Sequence, residues 1–178
     1  AIDAEPILAL AEADAGGDQI ARPVHSAGEA QRRSVARLGR GGLEQYVGNA
    51  RIAERAVQFI RQGRKTLITD LVHGDLAQVT PEVIGKAAHQ GDALAVEIYD
   101  FVADCLATAF ATVDYLIQPQ AFIIGGGIAQ SGTILFDPLR RHLKERLSPY
   151  FAERIEVKAA ELGNDAGVIG AATLALTE

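Results

Sequence analysis

Gln118-Pro119-Gln120-Ala121-Phe122-Ile123-Ile124-Gly125-Gly126-Gly127-Ile128 is the stretch that decides the fold. Ala121 to Ile124 is a short apolar run with β-branched and aromatic side chains, which predicts a buried strand. Pro119 bounds it behind and three glycines bound it in front. Glycines at the carboxyl end of a strand carry no Cβ to hold a ligand off, so backbone can approach a nucleotide closely. Ligands of open α/β sheets sit just outside that end of the strands. A tight turn needing positive φ would use the same residues, so the surrounding sequence has to weigh the two readings.

On the C-terminal side, Asp137-Pro138-Leu139-Arg140-Arg141-His142-Leu143 predicts a helix start, with a helix from Pro138 to about Leu147. A strand at Ile155 to Ala159 and a last helix from Ala166 follow. On the N-terminal side, Leu94, Ile98, Phe101, Val102, Cys105, Leu106, Ala109, Phe110, Val113 and Leu116 recur at helical spacing. Such a stripe reads as core, and Cys105 within it as a small buried hydrophobe. Gly91-Asp92 closes the preceding helix and caps this long one, while Thr80-Pro81 opens the preceding helix with an N-cap and a proline at its first position. Leu43 to Arg61 predicts one further helix ended by Gly63. Helices alternating with strands give an α/β class with a mainly parallel sheet flanked by helices.

At 178 residues, 48% hydrophobic and 22% charged, the composition is that of a soluble globular domain. No apolar run approaches the ~20 residues that span a bilayer and no leader opens the chain, so no membrane partner and a cytoplasmic location are expected. Cys105 is the only cysteine, which rules out an intrachain disulfide and a cysteine-rich zinc site. A net charge of −6 opposes general nucleic-acid binding, which rests on phosphate neutralisation. Residues 1–21 hold seven alanines and five acids with no Lys or Arg, whereas residues 22–40 hold five arginines against one acid, Glu29. That reversal, with Gly16-Gly17 and Pro23 between, marks residues 1–38 as a different kind of segment. Ile7, Leu8 and Leu10 suggest a short helix there.

The order of strand, Gly125-Gly126-Gly127, Asp-Pro helix, strand and Leu162-Gly163-Asn164-Asp165-Ala166-Gly167-Val168-Ile169-Gly170-Ala171-Ala172 resembles the C-terminal half of the ROK family of repressors and sugar kinases. Leu43-Glu44-Gln45-Tyr46-Val47-Gly48-Asn49 and Thr80-Pro81-Glu82-Val83-Ile84 fall where that family has similar segments. The resemblance covers roughly residues 39–178. It implies an actin-like ATPase (ribonuclease H-like) lobe, ATP with Mg²⁺ as cofactors of the complete protein, a sugar substrate, and pairing into a homodimer through this lobe. It also implies that Gly125, Gly126 and Gly127 contact the adenosine part of ATP through their backbone, which tips the glycine turn toward nucleotide contact.

Glu44 matches the final glutamate of the family's Cys-x-Cys-Gly-x-x-Gly-Cys-x-Glu pattern, a residue that binds sugar hydroxyls. A carboxylate offers acceptors alone, which suits discrimination among hydroxyl positions. An acidic residue in a helix's first turn, favoured by the dipole, is an equal reading. The pattern's cysteine positions hold Val35, Arg37 and Gly42, none of which can donate a thiolate, so no zinc is expected. A gap-free count puts His25 at the histidine of the family's Glu-x-Gly-His motif, with Arg22 and Val24 at its glutamate and glycine. An exposed histidine is the plainer reading there. Asn164-Asp165-Ala166 looks like the family's catalytic Asn-Asp-Ala, but that motif belongs to the N-terminal lobe, and here these residues read as a helix cap. Arg140, Arg141, Lys144 and Arg146 read as a solvated face, and His73, His89 and His142 have no partners at ligand spacing.

Phosphoryl transfer needs phosphates held, a base near the acceptor and the sugar in line. The resembled family puts its Asp-x-Gly-Gly-Thr hairpin and catalytic aspartate in the N-terminal lobe, and neither occurs here. The expected protein is therefore one lobe of an ATP-dependent, glucokinase-like hexose kinase, with the missing N-terminal lobe as partner. The alternative is the sugar-sensing domain of a ROK-type repressor, with nucleic acid met only by helices upstream. The Arg-rich, cysteine-free sequence before residue 39 also resembles the product of a reading-frame error. Elemental analysis after dialysis checks the metal reading: less than one zinc per chain is expected, and one zinc per chain refutes it.

Overall fold

The computed structural model describes residues 8–9, 42–162 and 165–176. Ala121–Ile124 forms a strand, β2, between β1 (Leu8–Ala9) and β3 (Glu156–Ala159), and both neighbours run parallel to it. Phe122 and Ile124 point into the core and are fully buried, the alternation that a half-covered strand imposes. Leu8–Ala9 therefore belongs to the sheet, pairing with Phe122 and Ile123, and not to the short helix expected around it. A two-residue strand carries too little periodicity to be told from a helical turn by sequence.

The helices are α1 (Glu44–Val47), α2 (Asn49–Arg61), α3 (Leu67–Leu71), α4 (Pro81–His89), α5 (Ala93–Ile117), α6 (Thr133–Arg146), α7 (Pro149–Ala152) and α8 (Ala166–Leu176). Single 3₁₀ turns lie at Leu76–Gln78 and Gly127–Ser131. The helix expected over 43–61 is broken at Gly48, whose ψ of 144° is extended. Two cap signals take the expected geometry. Thr80 accepts from the Val83 amide with Pro81 behind it, and Gly91 takes φ of +81°. Asp92 is buried and fully engaged, accepting from the Ala95 amide at 2.8 Å, the Leu67 amide at 2.8 Å and the Thr66 hydroxyl at 2.9 Å.

Leu94, Ile98, Val102, Leu106 and Phe110 of α5 are buried in the core, whereas Leu116 at the end of the same stripe is exposed. Phe110 stacks on Phe122 with ring centroids 4.1 Å apart. Cys105 is half-buried, and burial pushes its thiol up from the usual range.

Helix α6 departs from expectation. It begins at Thr133 after Gly132, and Pro138 stands in its second turn instead of opening it. An interior proline costs ~3 kcal/mol. Leu135, Phe136, Leu139 and Leu143 are buried along the same helix, and each contributes roughly 1.5–3 kcal/mol. Four such side chains outweigh one proline.

The cations of α6 are not a purely solvated face. Arg141 and Arg146 pair with Asp100 and Asp104 of α5, and Arg140 donates to the Val157 carbonyl at 2.9 Å. His142, largely covered, lies 3.1 Å from Asp100 and 3.5 Å from Asp104. The Asp100 and Asp104 pairs join residues 38 to 42 apart and Arg140 bonds to one 17 away, which spacing arguments do not reach.

Helix α8 is uncharged, and its described side chains, among them Val168, Ile169 and Leu174, are exposed. No helix among the described residues is long and apolar enough to cross a membrane.

Asp114 continues the buried stripe of α5 as a carboxylate, with Oδ2 unpartnered among the described residues. Burial holds its carboxyl above the ordinary carboxylate range. The folded state thus disfavours ionisation, and this residue's destabilisation grows as pH rises from about 4 through its raised native value. Asp114→Asn is expected to raise the melting temperature at pH 7, by about 1 kcal/mol equivalent, with the gain shrinking toward pH 4. Thermal melts of both proteins across that range check it, and an unchanged difference at all pH values contradicts it.

Candidate functional site

The carboxyl end of β2 runs directly into Gly125-Gly126-Gly127, and the chain then closes into the Gly127–Ser131 turn before α6. Gly126 takes φ of +77°, a left-handed conformation that a side chain strains. Gly127 has ordinary φ, but a Cβ there would stand 2.8 Å from Glu82 Oε1. Gly125 is different again, since an added Cβ would meet only the Ala160 Cβ at 3.8 Å, an ordinary contact. Glycine is thus required at 126 by its backbone angle, whereas a Cβ at 127 would only push the exposed Glu82 carboxylate aside and position 125 is permissive.

Helix α4 lies along this turn and is latched to it. The Tyr99 hydroxyl is 2.9 Å from the Pro81 carbonyl, which can only accept, so the phenol proton goes there. Ser131 Oγ, 2.5 Å away, must then donate to the phenol oxygen. The Ser131 carbonyl in turn sits 3.2 Å from His89 Nε2, which donates in the Nε2–H tautomer. Burial pushes the Tyr99 phenol up, the Ser131 bond pulls it back in part, and the negative charge of Glu82 adds to the rise. Gly85 makes room for the latch, for a Cβ on it would lie 3.2 Å from both Ser131 Oγ and the Tyr99 hydroxyl. Glu82 is exposed, at the end of α4 nearest the glycines.

The result is a bare strip of backbone, with Glu82 on one side and Ala160 at the end of β3 on the other. A flat, polar-edged ligand could lie on it, and the missing side chains are what make the room. Sequence reasoning found the glycines but not Tyr99, Ser131, His89 or Glu82. Tyr99 read as nothing but a helix position, and its partners lie 18 and 32 residues away.

Glu44 stands in the first turn of α1, exposed, with its carboxylate folded back on Gly48. A Cβ at Gly48 would overlap Glu44 Oε1 and stand 2.7 Å from the Glu44 carbonyl. Gly48 therefore lets the carboxylate curl over the break between α1 and α2. Those helices pack on one another and on α5, whereas the glycine turn packs on α4 and α6. Asp165 precedes α8, its amide bonded to the Leu162 carbonyl at 3.0 Å. His25, Val35 and Arg37 lie outside the described residues, as does Asn164. Among the described residues no group of three or more His, Cys, Asp or Glu side chains could hold a metal ion.

Alanine substitutions separate the three glycines. Gly126→Ala is expected to lower the melting temperature by about 2–4 °C, since strain there costs of order 1 kcal/mol or more. Gly125→Ala is expected to melt as the parent does. Equal effects at both positions would contradict the geometry.

Residues 39–178 match the ROK family. A glucokinase of Thermotoga maritima is 37% identical over 139 residues, covering 76% of this chain and 43% of that protein. The DNA-binding transcriptional dual regulator NagC of Escherichia coli is 28% identical over 128 residues, covering 72% of this chain and 30% of that protein. Among solved structures, a ROK family glucokinase from Streptomyces griseus in complex with glucose and AMPPNP superposes with a TM-score of 0.69 at 29% identity. That superposition covers 76% of this chain and 45% of the other. The chain spans less than half the length of the glucokinases it matches. Its helix-rich α/β architecture with a parallel sheet is the actin-like ATPase lobe expected from the sequence. The order of strand, glycine turn and flanking helices, the matched residues and the shared fold agree: this chain belongs to the ROK family.

Proposed function

We propose that this chain is the C-terminal lobe of an ATP-dependent sugar kinase acting on a glucose-like hexose. The observation that carries the reading is the glycine strip at the end of β2, with Gly126 at positive φ and Gly127 packed against Glu82. A nucleotide fits such a strip because half-buried glycines without Cβ atoms let a ligand approach the backbone closely. The likeness to a glucokinase that holds glucose and AMPPNP supports the same reading.

In this reading Gly125, Gly126 and Gly127 form the adenosine floor, and the Tyr99–Ser131–His89 latch keeps that floor in one shape. Glu44 contributes to the sugar wall by accepting from hydroxyls, with His25 as a second contact. The described residues do not fit a Mg²⁺ centre, so the ion is assigned to the nucleotide phosphates and to residues of the other lobe. The catalytic base and the phosphate-binding hairpin likewise belong to that lobe. Helix α8 and the exposed Tyr115, Leu116 and Ile117 offer apolar surface for it or for a second copy of the chain. A cytoplasmic protein, paired through this lobe, completes the reading.

NagC, 28% identical to this chain, supports the second reading, a sugar-sensing domain of a repressor. It ranks behind because the glucokinase match is longer and reaches 37% identity. A linked assay with glucose, ATP and Mg²⁺ decides. The complete protein carrying this lobe is expected to form ADP in proportion to glucose, and the isolated chain is expected to form none. Glu44→Gln in the complete protein is expected to raise the KM for glucose about tenfold while leaving that for ATP nearly unchanged. Turnover by the isolated chain refutes the single-lobe reading. A complete protein that binds sugar without phosphorylating it favours the repressor.

A further inference from the structure

We infer that Glu82 reads the ribose hydroxyls of the bound nucleotide and so sets which way the nucleotide lies on the glycine strip. The inference rests on the proposed nucleotide role of Gly125–Gly127 and adds to it a residue, an orientation and a selectivity.

Glu82 Oε1 lies 2.8 Å from where a Cβ of Gly127 would be, which puts the carboxylate at the edge of the strip. It is exposed, and among the described residues it makes no hydrogen bond or ion pair. Its position is nonetheless held. Pro81, the residue before it, is buried and its carbonyl accepts from Tyr99, and Ile84 and Gly85 behind it are buried in the core. Further along the same helix, His89 meets the Ser131 carbonyl. The helix is thereby pinned to the turn at both ends, and an unengaged carboxylate is carried on a rigid mount beside bare backbone.

What such a group can bind follows from its chemistry. An ionised carboxylate accepts and cannot donate. Phosphate oxygens are also acceptors and carry negative charge, so the phosphate end of a nucleotide is turned away from Glu82. An adenine edge mixes donors with acceptors and matches two carboxylate oxygens poorly. The vicinal 2′- and 3′-hydroxyls of ribose offer two donors side by side, which two carboxylate oxygens can accept together. The ribose therefore belongs at the Glu82 side of Gly127, with the phosphates leading away from α4. Lys86, exposed one turn further along α4, forms no ion pair with Glu82 within 4.0 Å, so the carboxylate is not already neutralised by it.

Calorimetric titration of ADP, 2′-deoxy-ADP and 3′-deoxy-ADP into the complete protein carrying this lobe tests the inference, with Glu82→Gln and Glu82→Ala alongside. The parent is expected to bind ADP on the order of tenfold more tightly than either deoxy form, because each deoxy form loses one charge-assisted hydrogen bond to the carboxylate. Both variants are expected to bind ADP more weakly and to bring the three affinities close together. Their melting temperatures are expected to stay near that of the parent. Discrimination that persists in Glu82→Ala overturns the inference, as does a parent that binds all three equally. A lower melting temperature with discrimination intact would mean that Glu82 serves only the helix dipole, and also overturns it. A parent that binds no ADP instead sinks the nucleotide reading of the glycine strip, and this inference with it.

Discussion

Phe110 and Phe122 stack with ring centroids 4.1 Å apart and planes 7° from parallel, joining the long helix α5 to the central strand β2. The helix carries more of the core than any other described element, and the strand delivers the glycine turn. With that contact in place, α5 lies under the sheet and Tyr99, three turns earlier, comes up beneath Pro81 and Ser131. The hydrophobic contact and the polar latch are therefore consecutive consequences of one helix position. Burial of aromatic area dominates such a contact, and ring geometry adds ~1 kcal/mol.

The latch itself shows how a backbone site is made rigid without ligands of its own. A loop of glycines is entropically costly to hold in one conformation. Here two hydroxyls, a histidine and a carbonyl fix the turn from behind, leaving its front face bare. The Tyr99 and Ser131 hydroxyls are buried and paired, so either one losing its partner would leave an unsatisfied atom behind. Gly85 shows the same economy, since it exists to let the latch close and not to bend the chain. The ion pairs between α5 and α6 play a lesser part. They are half-exposed, and exposed pairs of this kind contribute about 0–1 kcal/mol each.

Helix α8 sets the other constraint. Its eleven residues carry no charge, and its described side chains are exposed. A helix apolar on every side is built for burial. The chain also spans less than half the length of the glucokinases it matches.

Much of this was readable in the sequence because the signals are local. Thr80-Pro81, Gly91-Asp92 and Gly63 marked helix ends through hydrogen bonds made within a few residues. The α5 stripe and strand β2 announced themselves by periodicity, and Gly125-Gly126-Gly127 by the absence of side chains. Tertiary structure alone decided the rest. It began α6 at Thr133 despite Pro138, because four buried side chains outweigh one lost bond. It put Leu8–Ala9 into the sheet, broke the first helix at Gly48, and turned expected solvated cations toward Asp100 and Asp104. It also brought Glu82, Tyr99, His89 and Ser131 around the glycines. Residues 32 and 42 positions apart meet only when the helices carrying them have packed, and no period or cap in the chain records that meeting.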